Sequence, residues 1–258
     1  MTDNDAVREA VRLLRGARRV VISSGAGISK ESGVPTFRDA HDGLWARFQA
    51  EELATPWAFE RDPDLVWSWY MYRYELIKQV KPNPGHYAVA EMEDLFDEVV
   101  VLTQNVDGLH WVAGSTDVVE LHGNIQRFKC SKPCRGKTAY VYLDTLDYTT
   151  ETAPPCPHCP EGGVVRPDVV WFGESLPTWA IERAYTTAAR CDVMLVVGTS
   201  GTVQPAASLP SMAREQGARI IEVNPQETLI SRFAHVALRG PSGEILPALV
   251  TAYREENV

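Results

Sequence analysis

Short runs of aliphatic residues recur along the chain, each separated from the next by a longer segment whose apolar positions fall at helical spacing. Val20–Ile22, Val99–Leu102, Val118–Leu121, Val193–Val197, Ile220–Val223 and His235–Leu238 are strand-length. The more continuously apolar of them read as strands covered on both faces of a parallel sheet. Between them, 5–18 puts Val7, Ala10, Val11 and Leu14 on one helical face, and 86–96 does the same with Ala88, Met92 and Leu95. Residues 177–190, 204–216 and the stretch after Gly240-Pro-Ser-Gly243 continue the alternation. Strand following helix in this way predicts an α/β fold, a doubly wound parallel sheet. Several strands run straight into small or polar residues, as expected where a nucleotide cleft lies along the carboxyl edge of such a sheet.

Two segments break the pattern. Residues 44–80 are dense in aromatics and predict a small helical unit with an aromatic core. Within it Tyr70 and Arg73 stand at i and i+3, on one helical face. Pro82-Asn-Pro84-Gly85 predicts a break before the next helix. Further on, Cys130-x3-Cys134 and Cys156-x2-Cys159 are set among prolines at ribbon-like separation, the spacing of a tetrahedral zinc site. Four thiolates would fill the coordination sphere, so such a zinc is structural. Val164–Glu174 then reads as a strand followed by a turn, and Cys191 as a core residue.

Composition narrows the function classes. With 258 residues, 45% hydrophobic and 23% charged, the chain has the make-up of a globular protein of one domain carrying insertions. A net charge of −9 offers no basic surplus for nonspecific nucleic-acid binding. The residues near Met1 are acidic and polar, and no run reaches the roughly 20 apolar residues of a membrane span. A cytoplasmic protein is expected, with its oligomeric state open and a monomer compatible.

The chemistry gathers at strand ends. The first strand stops at Gly25-Ala-Gly27, where missing Cβ atoms predict close approach of the backbone to a diphosphate. A hydride-transfer fingerprint would have its third glycine where Lys30 stands, and no strand ending in an acid follows at the usual distance. A polar loop comes instead, in which Arg38 is able to meet a phosphate bidentately. The second strand delivers Thr103-Gln-Asn-Val-Asp-Gly-Leu-His110, and the third delivers His122 beside Gly123, a candidate general base.

Taken jointly, these motifs resemble the sirtuins, NAD-dependent protein-lysine deacylases, over nearly the whole chain. The matching residues are Gly25 through Arg38, Thr103-Gln-Asn-Val-Asp107, Leu121-His-Gly123, the four cysteines, Gly198-Thr-Ser200 and Val223-Asn224. The resemblance implies a Rossmann-like NAD-binding domain from 1–43, 81–126 and 164–258, with a helical insertion at 44–80 and a zinc ribbon at 127–163 forming a small domain. It implies a cofactor loop with Gly25, Ala26, Gly27, Ile28, Pro35, Thr36, Phe37, Arg38 and Trp45. Gln104, Asn105, Val106 and Asp107 would line the nicotinamide and ribose pocket, and Gly198, Thr199, Ser200, Asn224, Pro225, Gln226 and Ser242 would hold the adenosine half. Asn105, Asp107 and the base His122 would be catalytic. In the family's reaction nicotinamide leaves, the acyl-lysine oxygen captures the ribose, and the base then helps a ribose hydroxyl attack. The products are free lysine, nicotinamide and O-acyl-ADP-ribose, so NAD is consumed.

The substrate peptide is expected to add as an extended strand beside Val170, Trp171, Phe172 and Gly173 and beside 201–203. Tyr70-x-x-Arg73, with the small Ala54, resembles the branch that removes succinyl, malonyl and glutaryl groups. The ligand set expected for zinc is Cys130, Cys134, Cys156 and Cys159. The first pair is spaced one residue wider than is commonest in the family.

Overall fold

The computed structural model describes residues 3–34, 50–134 and 136–256. Its main element is a six-stranded, wholly parallel sheet. The strands are β1 (Arg19–Ser24), β2 (Glu98–Thr103), β3 (Val118–Glu120), β7 (Val193–Val197), β8 (Arg219–Val223) and β9 (Val236–Leu238), in the spatial order β3-β2-β1-β7-β8-β9. β4 (Gly123–Cys130), β5 (Tyr140–Val141) and β6 (Val165–Val169) form a second, antiparallel sheet ordered β5-β4-β6. Without those three the main order is that of the doubly wound dinucleotide folds, with the direction of winding reversing between β1 and β7.

Successive residues of a strand point to opposite faces, and both faces here are covered. Val20 and Ile22 pack with α1 (Asp3–Leu14), α5 (Pro84–Glu91) and α9 (Ser242–Glu256) through Val11, Leu14, Val89, Leu246 and Leu249. Val21 packs on the other face against α7 (Thr178–Arg190) and α8 (Leu209–Glu215). Ala180, Ala184 and Ala188 form a small-residue stripe on α7 at that contact, which lets the helix lie close to the strands. Burial on both sides is why the runs lack polar alternation.

The aromatic segment folds as α2 (Ala50–Leu53), α3 (Pro56–Arg61) and α4 (Pro63–Gln79). Thr55 and Asp62 cap the last two, each followed by proline at the first helical position, where no N–H is needed. α4 is buried on two sides. Trp67 and Met71 face the cysteine-bearing ribbon, Trp67 lying 5.8 Å from the Phe128 ring centroid. Trp69, Tyr70 and Ile77 pack with Phe59, Val169 and Trp171.

Three local readings are corrected. Pro84 starts α5 rather than merely breaking a helix, because the Asn83 side chain accepts from Gly85 N at 2.9 Å and caps it. The helix expected to Phe96 ends at Glu91 and tightens into a 3-10 turn, Met92–Asp94. Residues 165–169, which the sequence pattern joins to the returning α/β unit, pair antiparallel with β4.

Candidate functional site

The carboxyl ends of β1, β2, β7 and β8, with the turn after β3, open onto one cavity of about 1490 Å³. A drug-sized ligand needs about 300–1,000 Å³, so there is room for a dinucleotide and part of a second substrate. At its centre the turns after β1 and β7 interlock. Gly27 N donates to Gly198 O at 2.8 Å, and a Cβ on Gly27 would fall 2.6 Å from Gly198 Cα. A Cβ on Gly25 would fall 2.7 Å from Thr199 Cβ. The glycines therefore serve to bring two turns together at the reversal point. After them, Ala26–Ser32 forms a 3-10 helix, where the sequence predicts a loop.

One end of the cavity is a buried polar cluster. Asn105 Nδ2 donates to Gly25 O at 3.2 Å and to Ser29 Oγ at 3.0 Å, while Ser29 Oγ donates to Asp107 Oδ2 at 2.7 Å. Burial raises the Asp107 pKa, against the opposing pull of the Leu109 N–H and the Ser29 hydroxyl. Ser29, which connects the two predicted residues, is missed by the sequence reading although it stands inside the glycine motif. Behind it lie His86 and His110, their ring centroids 5.0 Å apart, with pKa values lowered by burial to about 4 and about 3. Both are neutral and hydrogen-bonded in place, His110 Nε2 to Ser24 Oγ at 2.9 Å and His86 Nδ1 accepting from Asn83 N at 3.4 Å. The sequence does not single out His86, because it lies away from the strand ends.

His122 follows β3. Its Nδ1 lies 3.0 Å from Gln104 O. A carbonyl only accepts, so Nδ1 carries the proton and Nε2 keeps its lone pair, the tautomer a base requires. Burial lowers the His122 pKa and the Gln104 carbonyl opposes this weakly, so the ring is neutral at pH 7. Gly123 has φ 79°, and a Cβ there would meet Asp168 O at 2.0 Å, so no other residue allows the backbone to turn after His122.

The far end is lined by Thr199, Ser200, Asn224, Pro225, Gln226 and Ser242. Asn224 Nδ2 donates to Thr199 O at 3.2 Å, tying the ends of β7 and β8 together. Ser242 Oγ and Gly243 N, at the start of α9, both donate to Glu31 Oε1, at 3.1 and 2.9 Å.

On the opposite wall stand Ala54, Tyr70, Arg73, Ile77 and residues 169–176. Arg73 is only 7% exposed, its guanidinium carbon 5.2 Å from the Trp69 ring centroid, and burial lowers its pKa. Burial raises the Tyr70 pKa, and its ring stacks on Trp171 at 6.2 Å. The donors expected to pair with a peptide are partly engaged. Val170 N donates to His122 O, Trp171 N to Glu174 Oε2 and Phe172 N to Ala54 O, all at 2.8–2.9 Å. This segment is a turn held by the Arg166–Glu174 ion pair at 2.6 Å. Those three N–H groups are engaged within the fold, and Trp171 O in turn accepts from Glu174 N at 2.9 Å.

Of the site residues named from sequence, Gly25, Ala26, Gly27, Gln104, Val106, Gly198 and Gly173 also line this cavity. Ile28 does not: it is wholly buried in the core against α1 and α5. Pro35, Thr36, Phe37, Arg38 and Trp45 lie outside the described residues.

The cysteines converge in the ribbon. Sγ atoms of Cys130, Cys134 and Cys156 lie within 4.8 Å of one another, and a Cβ on Gly163 would fall 2.5 Å from Cys130 Sγ and 3.0 Å from Cys159 Sγ. Lys132 N points at Cys130 Sγ from 3.4 Å, as backbone donors do toward metal-bound thiolates. Burial raises the Cys130 and Cys134 pKa values. A divalent cation reverses that cost, and the donor set fits tetrahedral zinc without an open position.

Comparison with known proteins agrees with this geometry. Residues 25–205 match the Sir2 family. The chain is 54% identical over 217 residues to NAD-dependent protein deacylase 1 of Caldanaerobacter subterraneus subsp. tengcongensis, covering 84% of this chain and 86% of that protein. It is 48% identical over 251 residues to NAD-dependent protein deacylase 1 of Pseudomonas aeruginosa, covering 95% and 98%. Among solved structures, a Sir2 homolog–NAD complex superposes with a TM-score of 0.89 at 41% identity, over 97% of this chain and 95% of that one. A Sir2–p53 peptide–NAD+ complex does so with a TM-score of 0.82 at 29% identity, over 95% and 98%. The chain belongs to the Sir2 family.

Proposed function

We infer that the protein is an NAD-dependent protein-lysine deacylase, and that it prefers acyl groups ending in a carboxylate, succinyl and malonyl before acetyl. What supports the first part is the family membership, the names of relatives, and a cavity with room for a dinucleotide and part of a second substrate, in a fold that superposes on a Sir2 homolog–NAD complex and a Sir2–p53 peptide–NAD+ complex. The single observation that carries the second part is a buried guanidinium, Arg73, lining the same cavity as His122.

NAD, when bound, supplies an electrophilic ribose carbon and a leaving group. Every other requirement falls on the chain. Asn105 and Asp107, fixed through Ser29, offer hydrogen-bonding groups to the nicotinamide end. His122, held by Gln104 O, presents Nε2 to take a proton from a hydroxyl. Trp171, 2% exposed and packed on Phe59, together with Tyr70 excludes water from the acyl group.

A carboxylate entering this apolar wall loses its hydration, and this is tolerable only beside a charged donor. Arg73 offers a bidentate fork, and Tyr70 one further donor. Ala54 keeps the wall shallow enough for a longer acyl chain. Acetyl-lysine gains nothing from the fork, so acetyl transfer persists at a lower rate.

The test is kinetic. With one peptide sequence carrying succinyl-, malonyl-, glutaryl- or acetyl-lysine and saturating NAD, kcat/KM should be at least tenfold higher for succinyl than for acetyl. Equal values, or acetyl ahead, would remove the acidic preference and leave the deacylase reading standing.

A further inference from the structure

We propose that Glu120 is a positioning residue for the deacylation step, fixing the chain on both sides of His122 so that the imidazole faces the cavity. Glu120 ends β3, an edge strand of the parallel sheet, and three residues later the chain enters β4 of the antiparallel sheet. His122 thus sits on the crossover between two sheets, where its carbonyl accepts from Val170 N at 2.8 Å and its ring is held by Gln104 O.

The Glu120 side chain spans that crossover. Its carboxylate is 5% exposed and accepts three donors: Asn124 Nδ2 at 2.6 Å, Arg127 Nη1 at 2.5 Å and Trp111 Nε1 at 3.2 Å. Asn124 and Arg127 lie on β4, beyond His122, and Trp111 lies on α6 (Leu109–Ala113), which follows the segment bearing Asn105 and Asp107. Arg127 continues to Asp168 of β6 at 3.3 Å, and Lys129 pairs with the same carboxylate at 2.9 Å. Ile125 N donates to Val106 O at 2.9 Å and Gln126 Nε2 to Asp107 O at 2.9 Å.

The carboxylate therefore ties the strand before the base to the strand after it, with Trp111 of α6 as a third anchor. A buried carboxylate costs free energy unless it is fully paired, and a core position of this kind is served as well by an apolar residue. Three directed donors at the crossover give it a role that packing alone does not: they fix the direction in which residues 121–123 leave the sheet. A displacement of about 1 Å at a catalytic group is enough to cost about 10²-fold in rate.

This inference rests on the deacylase reading, and its test separates the two. In the family's reaction nicotinamide leaves before the base acts. Exchange of labelled nicotinamide into NAD, in the presence of acyl peptide, therefore reports the first step without His122, and deacylation reports the second. For Glu120→Ala, deacylation should fall about tenfold or more, while nicotinamide exchange changes less than about threefold and zinc content stays the same. Glu120→Gln, which keeps an acceptor for Asn124 and Trp111, should recover part of the loss. In a His122→Ala background, Glu120→Ala should cost nothing further, because a positioning residue acts only through the group it positions.

Equal loss of exchange and deacylation, or additive loss in the double variant, would overturn the proposal and leave Glu120 as a stability residue. If Glu120→Ala does not fold, Arg127→Met carries the same test, since it removes one of the three donors and leaves the other two. A wild-type protein that neither exchanges nicotinamide nor deacylates would refute the functional reading itself.

Discussion

Replacing Arg73 by methionine removes the guanidinium that stands with Ala54, Tyr70 and Ile77 on the cavity wall, while keeping a side chain of comparable reach. The size of the effect follows from the environment. Arg73 is 7% exposed, its guanidinium carbon 5.2 Å from the Trp69 ring centroid, so solvent and salt screen it little, unlike a surface pair. A hydrogen bond to a charged group in such a place contributes about 1.5–3 kcal/mol, which corresponds to about 10–150-fold in kcat/KM. Arg73→Met should therefore lower desuccinylation by that factor and lower deacetylation no more than about threefold, since acetyl makes no such bond. The assay is kcat/KM for both acyl forms of one peptide, followed by mass spectrometry, with the Tm recorded alongside. Equal loss of both activities together with a lowered Tm would show that Arg73 supports the small helical unit instead. Unchanged desuccinylation would show that its fork does not reach the acyl carboxylate.

Other outcomes follow from the same geometry. His122→Ala should slow deacylation by about 10²–10⁴-fold with NAD binding and zinc content retained; turnover near wild type would take His122 out of the mechanism. The base must be neutral to act, and burial lowers its pKa, so the acid limb of the kcat/KM profile should fall below the ordinary histidine value of about 6.5. A limb well above that value would contradict the buried, Gln104-bonded ring. Metal analysis should find one zinc per chain, and Cys156→Ser should yield less soluble protein of lower Tm; active protein without zinc would refute the ribbon reading. Gly198→Ala would bring a Cβ to 2.4 Å from Ile28 N at a φ of 61°, so it should disrupt the interlocked turns and raise the KM for NAD severalfold or more; unaltered NAD kinetics would show that the turns tolerate displacement.

Sequence pattern carries the main sheet because its strands are buried on both faces, and their apolar continuity is a direct consequence of that burial. The cavity was equally legible, since ligands in such sheets bind at strand ends and those ends carry Gly25, Asn105, His122, Gly198 and Asn224. What the pattern did not carry is what depends on partners distant in sequence. Val165–Val169 has the look of any short strand, and only its pairing with Gly123–Cys130 assigns it to the antiparallel sheet. Ile28 sits in a ligand motif but its side chain enters the core, because the 3-10 helix after Gly25 turns it inward. Ser29 and Glu120 acquire their roles from side chains 78 and 7 residues away, Asp107 and Arg127. The engaged N–H groups of Val170, Trp171 and Phe172 could not be read from a strand-like sequence, because their acceptors include Ala54 and His122.

The central claim is that acyl removal consumes NAD at this cavity, and product stoichiometry tests it most directly. Purified protein incubated with NAD and a succinyl-lysine peptide should release free lysine peptide, nicotinamide and O-succinyl-ADP-ribose in equal amounts. No change should occur at the absorbance of reduced nicotinamide, and no ADP-ribose should be added to the peptide. Deacylation that proceeds without NAD, or nicotinamide release accompanied by a mass gain on the protein target in place of acyl loss, would contradict the account.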